Sequence, residues 1–168
     1  MMSRRNTLLG LGGLSVIVAG IRGLFTGDSA HAAPHAARSF ELNRTEAEWR
    51  KLLSPEQFRV LRQAGTERPG SSPLNREKRA GTYTCAGCAL PLFASTTKFE
   101  SGTGWPSFWQ PLDKAVVEET DTAFGMRRTE VLCRRCGGHL GHVFNDGPRP
   151  TGLRYCMNGV SLNFAAGG

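Results

Sequence analysis

The chain has 168 residues, 39% hydrophobic and 21% charged, with a formal net charge of +7. That length fits one domain able to bury a real core. The basic clusters, Arg76/Lys78/Arg79 and Arg127/Arg128, are short and lack interleaved aromatics, so they read as solvated faces and exclude a nucleic-acid footprint.

Ser3-Arg4-Arg5-Asn6-Thr7-Leu8-Leu9 is a basic stretch leading into an apolar, glycine-rich run, Leu8–Ile21. Ala30-His31-Ala32 then offers an A-x-A cleavage site, so residues 1–32 read as a signal peptide of the twin-arginine type and the expected destination is the periplasm. Thr7 stands where that pattern prefers Phe. A stable membrane anchor is the competing reading, but Gly10, Gly12, Gly13, Gly20 and Arg22 interrupt a run already short for the roughly 30 Å of hydrocarbon. Cleavage removes three arginines and Asp28, lowering the charge from +7 to +5. Residues 33–43, small and aperiodic, are expected to be a flexible lead before a domain at 44–166.

Thr45-Glu46-Ala47-Glu48 has the spacing of a capping box and predicts a short helix running to Leu52 or Leu53. Ser54-Pro55-Glu56-Gln57 repeats the device, predicting a second helix that buries Phe58 and Leu61 and ends at Gly65. Pro69, Gly70, Pro73 and Gly81 mark residues 66–81 as an extended loop. Beyond it the texture changes to short β-like runs: Thr82–Thr84, Leu92–Ala94, Ala115–Glu118, Met126–Leu132, His142–Asn145 and Val160–Phe164. The fold class is therefore mainly β and antiparallel, with short N-terminal helices. No GxGxxG or phosphate-binding loop is present.

Four of the five cysteines form two Cys-x-x-Cys pairs, Cys85/Cys88 and Cys133/Cys136. Four thiolates complete a tetrahedral structural zinc site, which in small peptides stabilises by about 10–16 kcal/mol. Disulfides are the alternative for an exported protein. Cys156 is left over in Arg154-Tyr155-Cys156-Met157-Asn158, either a buried small hydrophobe or a nucleophile. His139 and His142 follow the second pair closely, and are either freed by the four sulfurs or ligands of a mixed site. Ser101-Gly102-Thr103-Gly104-Trp105-Pro106-Ser107-Phe108-Trp109 combines flexible glycines with a fixed Pro, a design that presents an indole, although both tryptophans in the core is an equally simple reading.

Together, Thr66-Glu67-Arg68, Cys85-Ala86-Gly87-Cys88, Gly102–Phe108, Gly125–Val131, His139-Leu140-Gly141-His142-Val143-Phe144 and Arg154–Asn158 resemble methionine (R)-sulfoxide reductases of the MsrB type. The likeness runs from about Asn43 to Phe164 with the motifs in order. It implies a β-tent of two antiparallel sheets, a structural zinc on Cys85, Cys88, Cys133 and Cys136, and reduction of methionine (R)-sulfoxide, chiefly in oxidised proteins. It further implies Cys156 as nucleophile, Trp105 against the substrate methyl with Phe144 lining the apolar side, and His139, His142 and Asn158 at the sulfoxide oxygen.

Two departures carry information. Thr103 stands where many members carry a resolving Cys, so an outside thiol, such as a thioredoxin-like protein, is expected to regenerate Cys156. Gly159 replaces a common Ser and is expected to loosen the nucleophile's loop. The expected state is a monomer. A non-catalytic zinc-stapled binding module and a zinc hydrolase using His139 and His142 are the readings from other classes.

Overall fold

Both capping boxes form in the computed structural model, which describes residues 39–167. Thr45 Oγ1 accepts from Glu48 N–H at 3.3 Å while Glu48 Oε2 accepts from Thr45 N–H at 2.7 Å, opening α1 (Glu46–Leu52). Ser54 and Gln57 do the same for α2 (Pro55–Gln63), with Pro55 at the first helical position. Its stop differs from the expected Gly65: Ala64 takes the left-handed conformation, and Gly65 N–H donates to Arg59 O at 3.0 Å. The signal segment at 1–32 and the lead as far as residue 38 lie outside the described residues.

The rest of the lead, from residue 39, makes contacts with the domain. Leu42 N–H donates to Arg135 O at 2.8 Å, and the Phe40 ring occupies the space a side chain at Gly137 would take. Residues 40–42 thus strap the second cysteine knuckle, against the expectation of a free lead through residue 43.

Among the described residues, nine strands build two antiparallel sheets. β1 (Gly81–Cys85), β2 (Pro91–Ala94) and β9 (Leu162–Ala166) form a three-stranded sheet in the order β2-β1-β9. β3 (Lys98–Phe99), β4 (Ser107–Phe108), β5 (Val116–Asp121), β6 (Arg128–Cys133), β7 (His139–Phe144) and β8 (Arg154–Met157) form the second, in the order β3-β4-β8-β7-β6-β5. Polarity follows position. β5, an edge, carries Glu118, Glu119 and Asp121, whereas interior β6 buries the run Glu130–Cys133.

Aromatic side chains join the sheets. Tyr83 of β1 meets Phe108 of β4 edge-on at 4.9 Å, and Phe93 of β2 stacks on the same ring at 4.4 Å. Phe93 also meets Tyr155 of β8 at 5.9 Å. Such pairs add about 0.5–1.5 kcal/mol each beyond the area they bury. Tyr155 and Met157 both point into this core, so the period-two alternation turns Cys156, between them, to the opposite face.

The cysteine pairs also join the sheets. Cys85 ends β1 and Cys133 ends β6, so the knuckles that follow come from different sheets. The helices cover them, with Arg62 Nη1 donating to Cys136 O at 2.9 Å and Trp49 packed near Gly87. The mainly β class, two antiparallel sheets and short N-terminal helices agree with the expectation.

Candidate functional site

Cys156 lies in the middle of a ladder that brings distant residues to one face. Its pairing partner on β4 is Ser107, and its partner on β7 is His142. Directly paired residues of antiparallel strands share a face, so the thiol sits between a hydroxyl and an imidazole. Gly141 permits this approach: a Cβ there would stand 2.1 Å from Cys156 O.

A bulge then adds the second imidazole. Residues three apart on a regular strand point to opposite faces, which would separate His139 from His142. Between Val131 and Leu132 the register shifts, pairing Leu132 with His139 and Val131 with Gly141. The extra residue on β7 changes the phase, and the two rings meet edge-on with centroids 5.4 Å apart.

Each imidazole is held by a carboxylate. His139 Nδ1–H donates to Glu130 Oε1 at 2.5 Å, and its Nε2 is buried without a hydrogen-bond partner. His142 Nε2–H donates to Asp121 Oδ2 at 2.9 Å, leaving Nδ1 as the ring's other polar atom. Arg128 Nη2 donates to the same Asp121 oxygen at 2.6 Å. Burial tends to raise the Asp121 carboxyl, but the Ala123 N–H, His142 and Arg128 outweigh it and carry it down to about 2. Burial depresses His142 below its ordinary value, and the hydrogen bond to Asp121 works against that. His139 is the more enclosed ring, 2% exposed, while His142 is half-buried.

Burial likewise raises the Cys156 thiol, opposed by the Thr103 hydroxyl at 3.9 Å and by the Arg154 guanidinium. Arg154 is fixed by a bidentate pair with Asp146, at 2.8 and 2.9 Å, and lies over the Phe144 ring at 4.5 Å. One cation, locked in place, therefore faces the sulfur.

Trp105 presents its ring from a loop tied down at both ends. Its Nε1–H donates to Glu67 O at 3.2 Å, and Gly104 O accepts from Gly70 N–H at 2.7 Å and Asn75 Nδ2 at 2.9 Å. Glu67 is a site residue that the sequence reading missed. Its N–H donates to Asn158 Oδ1 at 2.9 Å, and its buried carboxylate accepts from Gly159 N–H at 2.6 Å and Val160 N–H at 3.0 Å. Asn158 is accordingly occupied at both ends, since its Nδ2 donates to Leu140 O at 3.1 Å. The only signal for Glu67 in the sequence was its place in Thr66-Glu67-Arg68.

The other four sulfurs gather elsewhere. Cys85, Cys88, Cys133 and Cys136 Sγ all lie within 4.8 Å of one another. The two cross-pair contacts, Cys85–Cys136 at 3.7 Å and Cys88–Cys133 at 3.5 Å, approach the edge of about 3.8 Å that a tetrahedron with 2.3 Å zinc–sulfur bonds requires. The cluster fits a structural zinc site. Neither histidine belongs to it.

A two-sheet β domain with a four-sulfur cluster and one separate thiol beside an imidazole is the class these features define. Comparison with known proteins agrees. A family model described as SelR domain matches residues 53–166. Peptide methionine sulfoxide reductase MsrB of Leptospira interrogans serovar Lai is 57% identical over 127 residues, 75% of this chain and 97% of its own. The proteins of that name from Pseudomonas putida strain W619 and Methanosarcina barkeri are each 59% identical, over 74% and 73% of this chain and 94% and 87% of theirs. The chain belongs to the MsrB family of SelR-domain proteins.

Proposed function

We propose that this protein is a peptide-methionine (R)-S-oxide reductase, acting chiefly on protein-bound methionine sulfoxide with Cys156 as its nucleophile. Membership of the MsrB family supports the reaction. The observation that carries the assignment of roles is the separation of sulfurs: four clustered, one alone between His142 and Arg154.

A sulfoxide oxygen leaves poorly until protonated, so nucleophile and acid must act together. The Cys156 thiolate attacks the sulfoxide sulfur while Arg154 offsets its charge. The proton for the oxygen comes from His142, which pairs directly with Cys156 and is less enclosed than His139. His142 takes it from solvent on Nδ1, because Nε2–H is committed to Asp121, and passes it to the oxygen. His139, held by Glu130, shapes the second side of the oxygen site. Trp105 takes the methyl group, Phe144 lines the apolar side, and Asn158 keeps the turn after Cys156 in place through Glu67 and Leu140.

On collapse the substrate sulfur–oxygen bond and the transient sulfur–sulfur bond both break, the hydroxyl passes to the Cys156 sulfur, and methionine and a Cys156 sulfenic acid result. A hydroxyl, Thr103, rather than a thiol stands 3.9 Å from the sulfur. An external thiol, from a thioredoxin-like protein or a small molecule, therefore attacks the sulfenic acid and releases water. A second thiol cleaves the mixed disulfide and restores Cys156. Zinc held by Cys85, Cys88, Cys133 and Cys136 would cross-link the two sheets and would take no part in these steps.

The twin-arginine-type segment at residues 1–32 supports action in the periplasm after cleavage rather than as a stable membrane anchor, and we take the acting species to be a monomer. Among the described residues no helix is long and apolar enough to cross a membrane.

The test is epimer-resolved turnover. Residues 33–168 with dithiothreitol should consume the (R) epimer of N-acetylmethionine sulfoxide and spare the (S) epimer, and Cys156→Ser should consume neither. Unchanged substrate at stoichiometric protein with zinc bound would instead point to a binding module.

A further inference from the structure

Ser101 and Ser107 have no part in the chemistry above, yet with Thr103 their side chains form a continuous chain ending at the nucleophile. Ser107, fully buried on β4, donates to Trp105 O at 3.1 Å, since a carbonyl can only accept. Its oxygen lies 2.7 Å from Ser101 Oγ, which lies 2.8 Å from Thr103 Oγ1, which lies 3.9 Å from Cys156 Sγ. Each hydroxyl owns one hydrogen. With that of Ser107 committed to the carbonyl, Ser101 must donate to Ser107, Thr103 to Ser101, and the Cys156 S–H to Thr103. The far end of the chain sets the direction of every link, and that direction suits a thiol.

A thiolate requires Thr103 to donate to it, and the order that keeps the hydroxyls linked to one another is then the reverse. Thr103 must turn its hydrogen to the sulfur, Ser101 must turn to Thr103, and Ser107 must turn to Ser101. The Trp105 carbonyl then loses its bond from Ser107. Ionisation of Cys156 thus reverses three hydroxyls and forfeits one hydrogen bond.

We propose that Ser101 and Ser107 are positioning residues that hold resting Cys156 as a thiol, acting through Thr103 in a reversible hydroxyl relay. No O–H bond breaks: the thiol proton leaves to solvent and the hydroxyls exchange only the neighbour to which they donate. The charged and titratable groups facing the sulfur are Arg154 on its own strand, backed by Asp146 from the β7–β8 connection, and His142 from β7. β4 presents only Ser107 there. Arg154 and the Thr103 hydroxyl favour the thiolate, whereas burial and the two serines behind Thr103 oppose it. The proposal rests on reading Cys156 as the reacting thiol, but it concerns ionisation and needs no sulfoxide.

Its test is the pH profile of Cys156 alkylation by iodoacetamide, followed by mass spectrometry of the Cys156 peptide. Removing either serine frees Thr103 to donate to the sulfur without loss at the carbonyl. Ser107→Ala and Ser101→Ala should therefore shift the profile to lower pH and speed alkylation at pH 7 by about fivefold, one hydrogen bond's worth. Thr103→Val removes the hydroxyl that meets the thiolate, so it should shift the profile upward, and Thr103→Ser should restore it. The opposite signs separate a relay from simple loosening of the loop. Unmoved profiles in both serine variants, or shifts in the same direction as Thr103→Val, would overturn the relay. Ser101 is partly exposed, so Ser101→Ala supplies the measurement should Ser107→Ala fail to fold. A protein with the predicted profiles but inert toward sulfoxide would contradict the reductase reading and leave the relay standing.

Discussion

Replacing Glu67 by Ala should destabilise the domain by about 3 kcal/mol. The carboxylate is 3% exposed and accepts from two backbone amides, Gly159 N–H at 2.6 Å and Val160 N–H at 3.0 Å, in the turn that follows Cys156 and Asn158. Hydrogen bonds to a charged group are worth about 1.5–3 kcal/mol each, and losing both leaves two enclosed donors without this partner. Against that stands the desolvation of the carboxylate itself, which raises its pKa above the ordinary range despite both bonds, so only part of the gross loss is felt. With a urea slope near 2 kcal/mol/M, the unfolding midpoint should fall by about 1.5 M. Exposed Glu56→Ala serves as the control. A Glu67→Ala midpoint equal to that control would refute the claim that this carboxylate holds the turn.

Gly159→Ser should cost about 1–3 kcal/mol, because a Cβ there would lie 2.0 Å from Ser72 Oγ and 2.4 Å from Ser72 Cβ. Ser72→Gly in the same chain should recover most of the loss, and strictly additive denaturation midpoints would show that the space is not shared. Asp121 stands at about 2 against an ordinary 3.8, so its contribution is present above pH 3.8 and is lost as pH falls toward 2. Acid unfolding should therefore carry up to about 2 kcal/mol from this group, and Asp121→Asn should flatten that limb. Phe40→Ala should hasten zinc transfer from the loaded protein to a chromogenic chelator, since the ring covers Gly137 beside Cys136; an unchanged release rate would exclude a protective strap.

Local signals were the most legible. The two capping boxes, the paired cysteines and the runs around Tyr83, Phe93, Val117 and Val131 each announce themselves within a few residues. The site depends on longer-range facts. Arg154–Met157 carries no conspicuous strand pattern, because it is only four residues long and Cys156, which faces the site, reads as apolar like Tyr155 and Met157 in the core. The bulge that aligns His139 with His142 is a property of pairing with β6, invisible along β7 alone. Glu67 acts on a turn more than ninety residues away. Gly159, read from sequence as a loosening substitution, is instead filled in by Ser72. No periodicity reports such complementary pairs.

Four sulfurs clustered as a zinc site would hold them leave Cys156 as the separate thiol. Mass analysis after a single turnover with no reductant tests that most directly. One added oxygen on the Cys156 peptide, with Cys85, Cys88, Cys133 and Cys136 unmodified and zinc retained, is the predicted outcome. A disulfide joining Cys156 to any of the four would contradict it.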